Sequence, residues 1–266
     1  MTLKPTIILV PGCWYPTATY DKLVAALSTR GLKSVPVVLP SSSTGSRDAS
    51  FLDDITAVRT VILAETTAGR DVVVVAHSYG GMPAYSASKG LTVGSPSPLT
   101  AAEGGTGKVI GFVLLASGFN LPGMSFLDPF GGVPPPTWKA NTETGFAELL
   151  ADPVDMFFHD LPVEEAKAWT AQLGKQSLLA LSKGGEHSYA SWTEAPNYYV
   201  LTAEDHALPP ALQRFGIDFG KQKGVDVTVH ELQTSHSPQL SKPDETAAII
   251  AEAADEFVVK KAKRTE

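Results

Sequence analysis

The stretch 71–82, Asp-Val-Val-Val-Val-Ala-His-Ser-Tyr-Gly-Gly-Met, constrains the fold of this chain more than any other. Residues 72–76 are four valines and an alanine, an unbroken apolar run that suits a parallel strand buried on both faces. Residues 80–88 read as a helix, so Ser78 falls in a sharp turn between a buried strand and a helix. Small residues two positions to either side, Ala76 and Gly80, let strand and helix approach closely. This is the G-x-S-x-G nucleophile elbow with alanine for its first glycine. Such a turn exposes the serine hydroxyl and aims the backbone N–H of Tyr79, at the helix start, at an anion.

The rest of the chain repeats that rhythm. Apolar runs at 6–10, 34–39, 109–115, 198–201 and 225–229 predict further strands, and periodic stretches at 20–28, 51–67 and 246–259 predict helices. Alternation of this kind predicts an α/β fold with a mostly parallel central sheet flanked by helices. Residues 41–50 and 91–107, rich in Ser, Thr and Gly, read as loops, and Ser241 with Asp244 has capping-box spacing before the last helix. Residues 121–191 break the rhythm with Pro134-Pro135-Pro136, several aromatics and two amphipathic stretches near 146–158 and 164–181. They predict a helical lid inserted into a core made of 1–120 and 192–266.

Composition excludes several classes. Hydrophobic residues are 43% and charged residues 18%, and the formal charge is −7. Those are globular values, and an acidic chain without a basic patch does not suit nucleic-acid backbones. Lys260, Lys261, Lys263 and Arg264 read as a solvated helix end. Cys13 is the single cysteine, so no internal disulfide forms. The N-terminus runs from Met1 into an apolar strand without the pattern of a signal peptide, and no window has the length of a membrane span. A cytoplasmic setting, with no membrane or nucleic-acid partner, is the expectation. The oligomeric state is left open, a homodimer included.

A serine at an elbow needs a base and an acid, which in this chain order come as Ser, then acid, then His. Of six histidines only His236, in Thr-Ser-His-Ser-Pro after the final strand, fits the base. His230 lies within that strand, and His77 beside the serine reads as structural or as a support behind the site. The acid belongs after the penultimate strand, where Glu204 and Asp205 compete and position does not separate them. Pro11-Gly12 after the first strand allows close backbone approach, so the N–H of Cys13 is the expected second oxyanion donor beside that of Tyr79. Cys13 itself, with no paired histidine suggested, is the weaker candidate nucleophile. Trp14, Phe126, Trp138, Phe157 and Phe158 are candidate pocket liners, packing being the competing role for each. No metal or cofactor is implied.

These residues resemble a known family. The stretch 71–82 resembles the elbow of the α/β-hydrolases related to plant methylesterases and hydroxynitrile lyases, with their bacterial and fungal esterase relatives. Thr202-x-x-Asp205-x-x-x-Pro209 with the later Gln213 resembles their acid loop, which assigns the acid to Asp205. His236-Ser-Pro-Gln-Leu resembles their histidine loop, and Phe158-His-Asp-Leu-Pro-Val-Glu-Glu-Ala a lid segment. The resemblance spans residues 6 to about 259 and implies the α/β-hydrolase fold. Two departures stand out. The family's usual His-Gly is Pro11-Gly12 here, and the lysine that hydroxynitrile lyases carry after the histidine is Ser237. The resemblance therefore implies a serine hydrolase acting on a small, largely apolar ester or lactone through an acyl-enzyme. A triad-bearing lyase or secondary-metabolite tailoring enzyme, and a non-catalytic small-molecule binding protein, are the alternatives.

Overall fold

The structure, a computed structural model, describes residues 4–264. Met1, Thr2 and Leu3, on which the N-terminal expectation partly rests, lie outside the described residues. Strand β1 (Thr6–Val10) is wholly buried and leads through Pro11-Gly12 to helix α1 (Asp21–Thr29). Strand β2 (Ser34–Pro36) is shorter than its apolar run suggested, and Pro40 opens a one-turn helix, α2 (Pro40–Ser43), that runs into the stretch read as loop. Helix α3 (Phe51–Thr67) starts at a capping box: Asp53 N–H donates to the Ser50 hydroxyl at 3.2 Å, and Ser50 N–H donates to the Asp53 carboxylate at 2.8 Å. Such a cap contributes about 1 kcal/mol.

Strand β3 (Val72–His77) passes through one turn of 3₁₀ helix into α4 (Gly81–Ala87). Residues 91–107 are not a plain exposed loop. Leu91 and Thr92 are buried, Thr92 bridges Val109, and α5 (Ala101–Gly104) carries its own capping box. After β4 (Val109–Leu115) the chain enters the insert. There β5 (Trp138–Asn141), β6 (Phe146–Leu149) and β7 (Gln176–Ser177) form a separate antiparallel sheet, with α6 (Pro153–Phe157) and α7 (Val163–Thr170) between β6 and β7 and α8 (Leu178–Ser182) after β7. The helical expectation for this region is thus corrected to a mixed one. Asn141 takes the N–H groups of Glu143 and Thr144 on its side chain, and Gly145 follows at φ 78, which turns the chain into a hairpin.

The chain returns to the main sheet with β8 (Asn197–Thr202), α9 (Pro210–Gln222) and β9 (Val227–Leu232). It ends with α10 (Pro238–Ser241) and α11 (Pro243–Arg264). Ser241 belongs to α10 and donates to Ser237 O, so it is not the cap of the terminal helix. The basic end of α11 is paired: Lys260 meets Asp226 and Glu256, and Lys261 meets Asp71 at 2.7 Å. Among the described residues no helix is long and apolar enough to cross a membrane.

The main sheet has the order β2-β1-β3-β4-β8-β9, and every pairing is parallel. Alternate residues feed its two faces. Ile8, Val10, Val74 and Ala76 join the core under α3, α4 and the insert, while Ile7, Leu9, Val73 and Val75 join the core under α1 and α11. Val72 to Val75 are all 0% exposed, and full burial stabilises each such side chain by about 1.5–3 kcal/mol. That pins β3 in the middle of the sheet and fixes where its carboxyl end, with Ser78, emerges.

Candidate active site

Among the described residues Ser78 is one of three non-glycine residues with positive φ, at 50°, alongside Trp14 at 64° and Ala116 at 44°. All three follow the carboxyl ends of adjacent strands: β1, β3 and β4. Backbone held in this region costs on the order of 1–3 kcal/mol per residue, so the surrounding packing has to enforce it. Part of that packing is a close approach that only glycine permits. A Cβ on Gly80 would stand 2.5 Å from Pro11 O, and one on Gly12 would stand 3.0 Å from the Ser78 Cβ. The Pro11–Trp14 loop therefore lies directly against the elbow. Ser117, behind Ala116, donates its hydroxyl to Ser78 O at 2.5 Å and fixes the turn from the other side.

His236 and Asp205 meet here. His236 Nδ1 lies 2.7 Å from the Asp205 carboxylate, with the two residues each 2% exposed. Asp205 also accepts from Thr202 Oγ1 and Gln213 Nε2 on one oxygen, and from the N–H groups of Ala207 and Leu208 on the other. Burial works against its charge, but the His236 ring and these donors outweigh burial and hold its pKa below the ordinary carboxylate value. Glu204, the competing carboxylate, is exposed. A carboxylate accepting from Nδ1–H leaves the Nε2 lone pair of His236 free to take a proton.

His77 ties this pair to the elbow. Its Nε2 donates to His236 O at 2.8 Å, and the two rings lie 4.7 Å apart. Burial, aided by the neighbouring His236, lowers the His77 pKa to about 3, so the ring is neutral with Nδ1 unprotonated. Tyr15 holds the other flank. Its phenol is 2.6 Å from the Ser237 hydroxyl, at the position where the lyases carry lysine. The sequence reads His77 as structural or as a support behind the site, and the tether to His236 fits the second role; it does not single out Tyr15, whose partner lies 222 residues away.

Cys13 and Tyr79 are equally enclosed. Cys13 is buried, and burial with the nearby Asp54 raises its thiol pKa well above the ordinary value; a thiol kept protonated is a poor nucleophile. Tyr79 anchors its ring through its hydroxyl to Asp54 at 2.8 Å, and Asp54 accepts in addition from Ser41 N and Oγ. Gln176 of β7 reaches the same cluster, donating to Ser41 Oγ at 3.1 Å and accepting from Ser42 Oγ at 2.6 Å. The insert is bonded to Trp14 as well: Gly174 N–H donates to Trp14 O at 2.7 Å, and Trp14 Nε1 donates to Ala147 O at 3.0 Å.

The candidate pocket aromatics separate by position. Trp14 packs on Trp138 and Phe157, and the Phe157 ring lies 5.7 Å from that of His236. Phe126 packs edge-on against Tyr79. Phe158 is 0% exposed and packs against Tyr15 and Phe157, which marks it as core. A cavity of about 530 Å³, lined by Trp14, Phe146, Leu149, Pro153, Thr170 and Leu173 among others, opens on the insert side and meets the site only at Trp14. Among the described residues no three His, Cys, Asp or Glu side chains are grouped to hold a metal ion.

Known proteins share this arrangement of chain. A sequence profile of the Alpha/beta hydrolase family matches residues 7–249. The alpha/beta hydrolase nvfD of Aspergillus novofumigatus (strain IBT 16806) is 32% identical over 260 residues, covering 96% of this chain and 99% of its own. Methylesterase 1 of Arabidopsis thaliana is 24% identical, covering 96% and 98%. Among solved structures, polyneuridine aldehyde esterase superposes with a TM-score of 0.72 at 20% identity, covering 95% of this chain and 100% of its own, and so shares the fold. With a profile match across most of its length and a relative of this identity, the chain belongs to the alpha/beta hydrolase family.

Proposed function

We propose that this protein is a serine hydrolase that cleaves a small, largely apolar carboxylic ester or lactone through an acyl-enzyme intermediate. The carrying observation is the buried His236–Asp205 pair, 2.7 Å apart, tied through His77 to the elbow that holds Ser78 at φ 50°. In this reading His236 Nε2 takes the hydroxyl proton of Ser78, whose oxygen attacks the carbonyl carbon of the substrate. Asp205 fixes the imidazole tautomer and stabilises the imidazolium. The N–H groups of Tyr79 and Cys13 receive the oxyanion; removing one such donor typically slows turnover by about a hundredfold or more. The imidazolium then protonates the leaving alkoxide, and a water activated by the same histidine releases the acid.

Trp14, Trp138, Phe157 and Phe126 form the aromatic surroundings that support an apolar substrate, and the insert is the lid over them. Ser237 bonded to Tyr15 leaves no cation after the histidine, which favours hydrolysis over cyanide elimination. The net charge of −7 and the single, buried Cys13 support a cytoplasmic enzyme acting on a small molecule without nucleic-acid or membrane partners. The test is a panel of 4-nitrophenyl esters and lactones with product analysis. Release of acid and alcohol by the wild type and its loss in Ser78→Ala support the proposal; turnover that persists in Ser78→Ala removes it.

A further inference from the structure

One short stretch of the insert touches both loops that carry the base and the acid. Asp160, two residues beyond Phe158, accepts from the backbone N–H of Ser235 at 2.9 Å and from its hydroxyl at 2.5 Å. The same hydroxyl lies 2.8 Å from Phe157 O, so its single hydrogen is shared between two acceptors on the insert. Ser235 immediately precedes His236 and is 0% exposed. On the acid side, His206, next to Asp205, donates from Nδ1 toward the carbonyl and the carboxylate of Asp155, 3.2 Å from each. Its ring stacks on that of His159 at 4.2 Å. Residues 155–160 therefore bridge the two loops from above.

The two grips differ in strength. His206 and Asp155 have half or more of their side-chain surface exposed, and an exposed pair of this kind contributes little. The Asp160–Ser235 contacts are charge-assisted and bear on a buried residue, and such bonds are roughly twice as strong as neutral ones. They also act where tolerance is smallest. Displacing a catalytic group by about 1 Å costs on the order of a hundredfold in rate, and the backbone of Ser235 sets where the His236 ring begins.

From this we infer that Asp160 is a positioning residue for the reaction: its carboxylate fixes Ser235 and, through it, the ring of His236. The insert, and not the core alone, then sets where the base stands. This rests on the reading of His236 as base. The core keeps its own tethers, His77 on the His236 carbonyl and Tyr15 on Ser237, so loss of Asp160 frees one flank of the base without breaking its bond to Asp205.

The test compares Asp160→Ala, Asp160→Asn, Ser235→Ala and the Asp160→Ala/Ser235→Ala double variant, using kcat and KM on a 4-nitrophenyl ester and the rate of Ser78 modification by a fluorophosphonate. Asp160→Ala is expected to lower kcat and the modification rate together by about ten- to a hundredfold, with KM within about threefold of wild type. Asn keeps an oxygen for the Ser235 N–H and is expected to recover most of the loss. The double variant is expected to lose no more than Asp160→Ala alone, because the two residues act through one contact. An unchanged kcat in folded Asp160→Ala overturns the inference, as does additive loss in the double variant. If Asp160→Ala fails to fold, Ser235→Ala decides: a several-fold lower kcat supports the inference and a wild-type kcat overturns it. A wild type that does not react with the probe contradicts the reading of Ser78 and His236, an outcome distinct from a wild type and an Asp160→Ala variant that label equally fast.

Discussion

The loops that carry Asp205 and His236, the proposed acid and base, follow neighbouring strands, β8 and β9, yet they are held in opposite ways. Every hydrogen bond to the Asp205 carboxylate other than that of His236 comes from within eight residues: Thr202, Ala207, Leu208 and Gln213. His236 and its neighbours are held from afar, by His77 at a separation of 159, by Asp160 at 75 from Ser235, and by Tyr15 at 222 from Ser237. A locally built site survives as a short motif in the sequence. A site built by distant tethers exists only once the whole sheet, and here the insert, has assembled.

The largest expected effect tests Asp205 as the proposed acid. Asp205→Asn places an amide where Nδ1–H must be accepted and favours the wrong imidazole tautomer, so kcat is expected to fall by about a thousand- to ten-thousandfold. Glu204→Gln, on an exposed side chain, is expected to stay within about twofold of wild type, as surface changes usually do. Steady-state kinetics on one ester separate the two, and equal losses would mean that the acid is wrongly assigned.

Gln213→Leu is the next step down and asks whether the acid loop is as self-contained as its bonds suggest. Gln213 donates to Thr202 Oγ1 and O, to Leu208 O and to Asp205, and accepts from Thr202 N. Its loss leaves several buried polar groups unpaired, with an expected cost of about 1–3 kcal/mol in a denaturant melt. The site should lose activity through Asp205 while the His77–His236 tether is spared. A melt identical to wild type would show the loop to be held by something else.

For the base loop, pH is the sharper probe. The His77 pKa is depressed from 6.5 to about 3 by burial, so between those values the unfolded chain binds a proton that the folded chain refuses. Stability therefore falls as pH drops through that window, by up to about 1.4 kcal/mol per pH unit from this group. His77→Gln keeps a donor for the His236 carbonyl and does not titrate. Its stability is expected to lose less than that of the wild type between neutral pH and about pH 4. Parallel curves for the two proteins would place the acid sensitivity elsewhere.

The smallest effect belongs to Tyr15→Phe. The ring keeps its packing on His77 and Phe157, and the one lost bond leaves the Ser237 hydroxyl short of a partner, at a cost of about 1 kcal/mol. A shift in the melting midpoint of that size, with a reduction in kcat of only a few-fold, fits one tether among three. A loss as large as that from Asp205→Asn would mean that the phenol does more than hold a loop.

The same contrast explains what could be read from the chain alone. The valine run, the elbow and the chain order depend on neighbours in sequence, and they point to Ser78, to His236 and to the loop of Glu204 and Asp205; the structure brings His236 within 2.7 Å of Asp205. Choosing Asp205 over Glu204 took the family pattern, because both lie one loop beyond the same strand. In the insert, the apolar spacing of 146–158 read as one amphipathic stretch. Yet Gly145 before it and Asp152-Pro153 within it are turn and cap signals, and they divide it into β6 and α6. Nothing near Tyr15 or Asp160 in sequence points to Ser237 or Ser235; those contacts follow from the packing of the insert on the strand ends.

The most direct measurement is intact-mass analysis after treatment with a fluorophosphonate, followed by peptide mapping. The account requires a single adduct on Ser78 in the wild type and none in Ser78→Ala, with labelling strongly slowed in His236→Ala. No adduct on the folded wild type, or an adduct that persists in Ser78→Ala, would contradict it.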